Sequence, residues 1–263
     1  MPAPRAAEVR QALAALARPK DAAALRWFFK TGAGEYGEGD VFIGVRVPAQ
    51  RRIARRFRDL PLPDGLKLLA SKTHEHRLTA LLILVDQYRH GDEHGQARIL
   101  AAYLASARFV NNWDLVDASA PAILGDWLRH HDPTRARRQL LRLARAPSVW
   151  QRRAAILATH AFIRAGDADE ALAVAGALLG DPHDLIHKAV GWTLREVGKR
   201  VGLEPLRLFL RAHAAQMPRT ALRYAIERLT PAERTRWREA GRAATAGAEP
   251  SSVSALARSS RAG

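Results

Sequence analysis

Alanine-rich helix openings recur along this 263-residue chain at nearly constant intervals, and that recurrence limits the possible folds more than any other feature. Turn signals punctuate the chain at Gly91-Asp92, Asn111-Asn112, Asp132-Pro133, Ala146-Pro147-Ser148, Gly166-Asp167, Gly180-Asp181-Pro182, Gly202 and Met217-Pro218. Every other one opens a similar helix, the openings falling near Ala80, Ala118, Ala154, Ala189 and Ala221. The steps between these alanines are 38, 36, 35 and 32 residues. A period of that size suits a two-helix repeat in which each hairpin hides its apolar face against its neighbours. The expected architecture is therefore all-α, a curved solenoid of HEAT-like two-helix repeats. A single four-helix bundle would also be all-α, but the many short helices and the period favour the stack.

The one strand-like run, Val41-Phe42-Ile43-Gly44-Val45-Arg46-Val47, is broken by glycine, closed by Pro48 and without a second strand to pair with, so it reads as an ordered loop. From residue 240 the composition turns to Gly, Ala, Ser, Thr and Arg. The expected organisation is one repeat domain over residues 1–239 and a disordered basic tail over 240–263. The chain has no uncharged apolar stretch long enough to span a membrane, and its first residues lack the apolar core of a signal peptide. The expectation is a cytoplasmic protein, associated with the nucleoid when bound to DNA.

Lys and Arg number 42 against 26 Asp and Glu, a net charge of +16 that favours a polyanionic partner. The absence of cysteine removes disulfide scaffolds, iron–sulfur clusters, thiol nucleophiles and cysteine-ligated zinc. Arg51, Arg52, Arg55, Arg56 and Arg58 crowd one short helix, and Arg135, Arg137, Arg138, Arg142 and Arg145 another. Such clusters, brought from separate repeats, can line one groove and contact phosphates. His74-Glu75-His76 and His130-His131 lack the i,i+4 spacing that puts two ligands on one helix face, so no metal is expected. Walker A, GxGxxG and GxSxG motifs are missing, and no cofactor is expected.

Residues 108–128 carry the most information. Asn111 or Asn112 can cap a helix, and Asp114 in its first turn complements the helix dipole. Asp117 follows Trp113 by four residues, which sets carboxylate and indole one turn apart on one face. The plain reading is a salt bridge to an arginine of the next repeat with the indole in the core. The next repeats add Trp150-Gln-Arg-Arg153 and Lys188-Ala-Val-Gly-Trp192, so three consecutive units could bring tryptophans and an acid to one cleft. Indole faces and a carboxylate both attract developing positive charge.

With these elements the sequence resembles the AlkD-type DNA alkylation-repair glycosylases, a HEAT-like-repeat family, over roughly residues 25–230. The resemblance rests on residues 29–45 with their glycine-rich loop, on His74-Glu-His-Arg77 and on Asn112-Trp-Asp-Leu-Val-Asp117. Trp150-Gln-Arg-Arg-Ala-Ala-Ile-Leu157 and Lys188-Ala-Val-Gly-Trp-Thr-Leu-Arg195 complete it. It implies a catalytic acid at Asp117, cleft aromatics at Trp113 and Trp192, and a phosphate-binding arginine at Arg153, or at Arg152 if the register shifts by one. Lys188, Arg51, Arg52 and Arg55 are the further expected phosphate contacts. The implied activity is hydrolysis of the N-glycosidic bond of N3- and N7-alkylpurines in double-stranded DNA by a monomer, without strand cleavage and without extrusion of the base. The rival readings are a non-catalytic nucleic-acid-binding solenoid and a protein scaffold.

Overall fold

The computed structural model describes residues 3–246, and these fold into helices alone. In chain order they are α1 (Ala6–Ala14), α2 (Pro19–Phe28), α3 (Val47–Arg56), α4 (Leu62–Leu69), α5 (His74–His90), α6 (Glu93–Ala105), α7 (Trp113–Ser119) and α8 (Asp126–His130). The second half holds α9 (Pro133–Ala144), α10 (Val149–Ala158), α11 (His160–Arg164), α12 (Asp169–Ala177), α13 (Asp184–Arg200), α14 (Leu203–His213), α15 (Arg219–Ala225) and α16 (Pro231–Ala246). Proline begins several of them, because its missing N–H removes a donor that would have no intrahelical partner there.

The helices stack as a repeat solenoid. In one layer α5 packs on α7, α7 on α10, α10 on α13 and α13 on α15. Behind it, α6 packs on α5, α9 on α10, and α12 and α14 on α13. A single continuous apolar cluster runs from Val9 in α1 through Leu81, Leu115, Ile156 and Val190 to Trp237 in α16, as expected when each hairpin buries its face against the next. Gly191, the glycine of the α13 motif, explains the close α13–α15 packing. A methyl group at that position would stand 2.4 Å from the Ala221 carbonyl oxygen.

Two details depart from a plain stack. The helix that opens at Trp113 does not run straight to His130, for Pro121 cannot donate to the ladder and residues Pro121–Gly125 form a π-helical turn instead. Gly125 is pressed against Ala158, where an added methyl would lie 2.1 Å from the carbonyl oxygen. The C-terminal helix α16 continues through Ala246, past residue 240 where composition places the start of the tail. Residues 247–263 of that expected tail lie outside the described residues.

The run from Val41 to Val47 is a loop, as its glycine and proline imply. Val41 makes one isolated bridge to Thr73, the Ile43 carbonyl accepts the Arg18 amide at 2.9 Å, and the Glu75 side chain holds the amides of Ile43 to Val45. Among the described residues no helix is long and apolar enough to cross a membrane.

Candidate active site

The site is assembled on α7, and its first turn is fixed by a buried ion cluster. Asn112 is the N-cap, its Oδ1 accepting from the Trp113 amide at 2.8 Å. Asp114 accepts from the Leu115 amide through Oδ1, and its Oδ2 receives Nε2 of His74 at 2.8 Å. The other ring nitrogen of His74 lies 2.9 Å from Asp40 Oδ2, while Arg77 donates to Asp40 Oδ1 at 2.6 Å and the Asn112 amide to Oδ2 at 3.3 Å. An imidazole between two carboxylates donates from both nitrogens only as the cation. The flanking carboxylates outweigh the penalty of burial and raise its pKa to about 9.

The neighbouring motif residues complete the clamp. The Glu75 carboxylate accepts the amides of Ile43, Gly44 and Val45 at 2.8 to 3.2 Å. Gly44 needs its positive φ of 85° and its missing side chain, because a methyl group there would lie 2.1 Å from the Arg18 carbonyl oxygen. His76 turns the other way, to the Ser71 hydroxyl at 3.0 Å. His74-Glu75-His76-Arg77 thus ties the glycine-rich segment and α5 to α7.

One turn beyond, Asp117 meets Arg153 of α10. Nε and Nη2 of Arg153 donate to the two carboxylate oxygens at 2.8 Å each, and its Nη1 donates to the Leu185 carbonyl at 2.6 Å. The fork therefore joins α7 and α10 to the start of α13. Burial pushes the Asp117 carboxyl above its ordinary range, the Arg153 fork opposes this, and the nearby Asp114 charge adds to the rise. Both oxygens accept guanidinium protons, an arrangement that favours the carboxylate form.

Asp117 is open on one side. Together with Trp192 it lines a cleft of about 320 Å³ whose wall includes His160, Arg164, Glu196, Lys199 and Arg200. His160 stands edge-on to Trp192, with ring centroids 4.9 Å apart, and its Nε2 lies 3.0 Å from the Thr193 hydroxyl. Burial lowers its pKa to about 4, so it is neutral at pH 7. Glu196 is paired with Arg200 at 3.0 Å. Arg164 and Lys199 make no ion pair among the described residues, which leaves this rim basic.

The expected site residues separate into groups. Asp117, Arg153 and Trp192 come together. Trp113 stacks on Phe29 at 5.1 Å, one helical turn from Asp117, and does not line the cleft. Trp150 borders a small apolar cavity with Tyr103 and Val116. Arg153 is 5% exposed, its fork turned to Asp117 and not to solvent. Arg152 faces elsewhere, donating to Asp181 at 2.6 Å and to the Ala146 and Pro147 carbonyls. Lys188 is half exposed and paired with Asp184 at 2.7 Å. Arg51, Arg52 and Arg55 are exposed on α3, without ion pairs among the described residues and away from the cleft. The arginines of α9 are exposed on the second layer, with Arg137 paired to Glu170 of α12, and they do not join the cleft.

Sequence reasoning missed His160, Arg164, Lys199 and Arg200. Lys199 and Arg200 follow Trp192 by seven and eight residues, two turns along the same face of α13, so a periodicity count from Trp192 finds them. His160 and Arg164 lie beyond the break between α10 and α11, where that count fails.

Comparison with known proteins bears on the family and the fold. The sequence model of a family described as DNA alkylation repair enzyme matches residues 9–229. A solved structure described as a predicted DNA alkylation repair enzyme from Enterococcus faecalis superposes with a TM-score of 0.63 over 82% of this chain and 97% of its own, at 17% identity. That likeness carries the fold. Comparison with curated proteins finds no significant match. By the match across most of its length, the chain belongs to the DNA alkylation repair enzyme family.

Proposed function

We propose that the protein is a monofunctional DNA glycosylase, acting as a monomer in the cytoplasm, that releases N3- and N7-alkylpurines from duplex DNA by hydrolysis of the N-glycosidic bond. The observation that carries this is the Asp117 carboxylate, held by the Arg153 fork and opening with Trp192 onto a basic-rimmed cleft. An alkylated purine already bears positive charge and leaves as a neutral base without prior protonation. The cleft matches that demand, because its one histidine is neutral and a poor acid at pH 7. As the glycosidic electrons depart with the base, positive charge grows on the deoxyribose. Asp117 and the indole face of Trp192 stabilise it, and a water adds to C1′ and releases a proton. Arg153 holds Asp117 in its anionic form and fixes its direction. The duplex phosphates are drawn by the rim of Arg164, Lys199 and Arg200, with Lys188, Arg51, Arg52 and Arg55 further out. This route requires no lysine nucleophile, so the strand is expected to stay intact.

Chromatography of free bases after incubation with methylated duplex DNA tests the reading. 3-Methyladenine and 7-methylguanine are expected, with no nicked strand. Uracil release at a comparable rate contradicts a mechanism that depends on a cationic leaving group, and no release with salt-sensitive DNA binding intact leaves a non-catalytic solenoid.

A further inference from the structure

A second cavity, of about 260 Å³, lies at the C-terminal end of the stack, lined by Arg219, Thr220, Leu222 and Arg223 of α15 and by Arg238 of α16. All three arginines are exposed, and none makes an ion pair among the described residues. The acids on the adjoining elements are committed elsewhere: Asp184 to Lys188, Glu227 to Arg195 and Glu233 to Arg207. Glu239, the other acid of α16, makes no ion pair with any of them. Three guanidiniums around one hollow repel one another, and a doubly accepting anion such as a phosphodiester relieves that repulsion while engaging their planar forks.

The cavity is linked to the cleft by a short chain of contacts. Arg153 bonds to Leu185 at the start of α13, Asp184 beside it pairs with Lys188, and α13 packs on α15. From α7 the path to α15 crosses α10 and α13, each packed on the next. Three steps of about 8–10 Å give up to roughly 25–30 Å. At about 3.4 Å per base pair that is some seven to nine base pairs of duplex.

We infer that Arg219, Arg223 and Arg238 form a second phosphate-binding site, which anchors the duplex backbone away from the reacting nucleotide. This rests on the reading of duplex DNA as substrate. The site holds the duplex in register and takes no part in bond cleavage.

The test is the triple substitution Arg219→Gln, Arg223→Gln, Arg238→Gln, with its lysine counterpart as the rescue, binding an undamaged duplex of about 25 base pairs over a range of salt. Each lost phosphate contact lowers the slope of log affinity against log salt by about 0.9, so the glutamine variant is expected to bind with a slope about 2 to 3 lower and at least tenfold more weakly at low salt. The lysine variant keeps most of the slope, and helical circular dichroism and thermal midpoint stay unchanged. At saturating methylated DNA the glutamine variant releases base at the wild-type rate. Unchanged affinity and slope overturn this site while leaving the cleft reading intact. A wild-type protein that does not bind duplex DNA overturns both, and a lower release rate at saturation makes the arginines part of the reaction, against the inference.

Discussion

Asp114 and Asp117 stand three residues apart on α7 and are both bound to a cation, yet they belong to opposite kinds of ion cluster. Asp114 is one wall of a clamp in which His74 joins it to Asp40, and Arg77 and Asn112 also donate to Asp40. Asp117 has one edge satisfied by Arg153 and another left facing a cleft. Ionisable groups in contact with opposite charges are thus not by themselves a sign of chemistry. What separates the two clusters is what lies beside them: the first ties α7 to α5 and the glycine-rich segment, and the second borders the cleft shared with Trp192.

The contrast can be broken in a set order of effect. Asp117→Asn is expected to slow base release by about a hundred- to a thousandfold, the size typical of a single well-placed electrostatic group, while duplex binding is kept or improved. A variant that releases base at the wild-type rate makes Asp117 a packing residue. His74→Gln should act on stability instead. It leaves buried Asp40 with Arg77 alone and part-buried Asp114 without its cation, at a cost of up to about 3 kcal/mol at neutral pH, measurable by urea denaturation.

That cost has a defined pH dependence. The folded pKa of His74 is raised to about 9, above the 6.5 of the free side chain. Its stabilisation is therefore complete below pH 6.5 and is lost as pH rises through 9. Wild type and His74→Gln should converge in stability above that point, and a gap that persists at high pH would mean the histidine packs rather than pairs. For Asp117 the sign is opposite in kind: the anion is the active form and its pKa is raised, so base release should fall on acidification at a pH above the ordinary carboxylate range. An acid limb at or below that range would show that Arg153 dominates burial. The smallest expected effect belongs to Trp192→Leu, which removes the indole face beside the cleft while keeping an apolar side chain. It should slow single-turnover release by roughly twofold to thirtyfold, given ~0.5–2 kcal/mol for a cation over an indole.

The contrast also marks what the sequence made legible. The all-α stack could be read because each repeat signals itself locally, by a turn and an alanine-rich opening, and the spacing of those signals is independent of tertiary detail. A salt bridge from Asp117 to an arginine of the next repeat was legible because both open consecutive repeats, while Arg153 itself was expected on phosphate. The direction of that arginine was not legible. Arg152 and Arg153 differ by about 100° around α10, and only the packing of the turn before α13 and of its first residues, which offer Asp181 to Arg152 and the Leu185 carbonyl to Arg153, decides which turns to Asp117. The His74 clamp was hidden for a related reason. Its partners Asp40 and Asp114 lie 34 and 40 residues away in a loop and another helix, so neither helical nor strand periodicity points to them. The break at Pro121–Gly125 carried a local signal in its proline, whereas the advance of α16 through Ala246 went against a composition that suggests a tail.

The most direct test places the two clusters side by side. Single-turnover release of 7-methylguanine from methylated duplex DNA is followed at low temperature, where both variants are folded by circular dichroism, for wild type, Asp117→Asn and His74→Gln. Asp117→Asn is expected to lose about two to three orders of magnitude while His74→Gln stays within about tenfold of wild type. Equal losses in the two variants, or a fully active Asp117→Asn, would contradict that expectation.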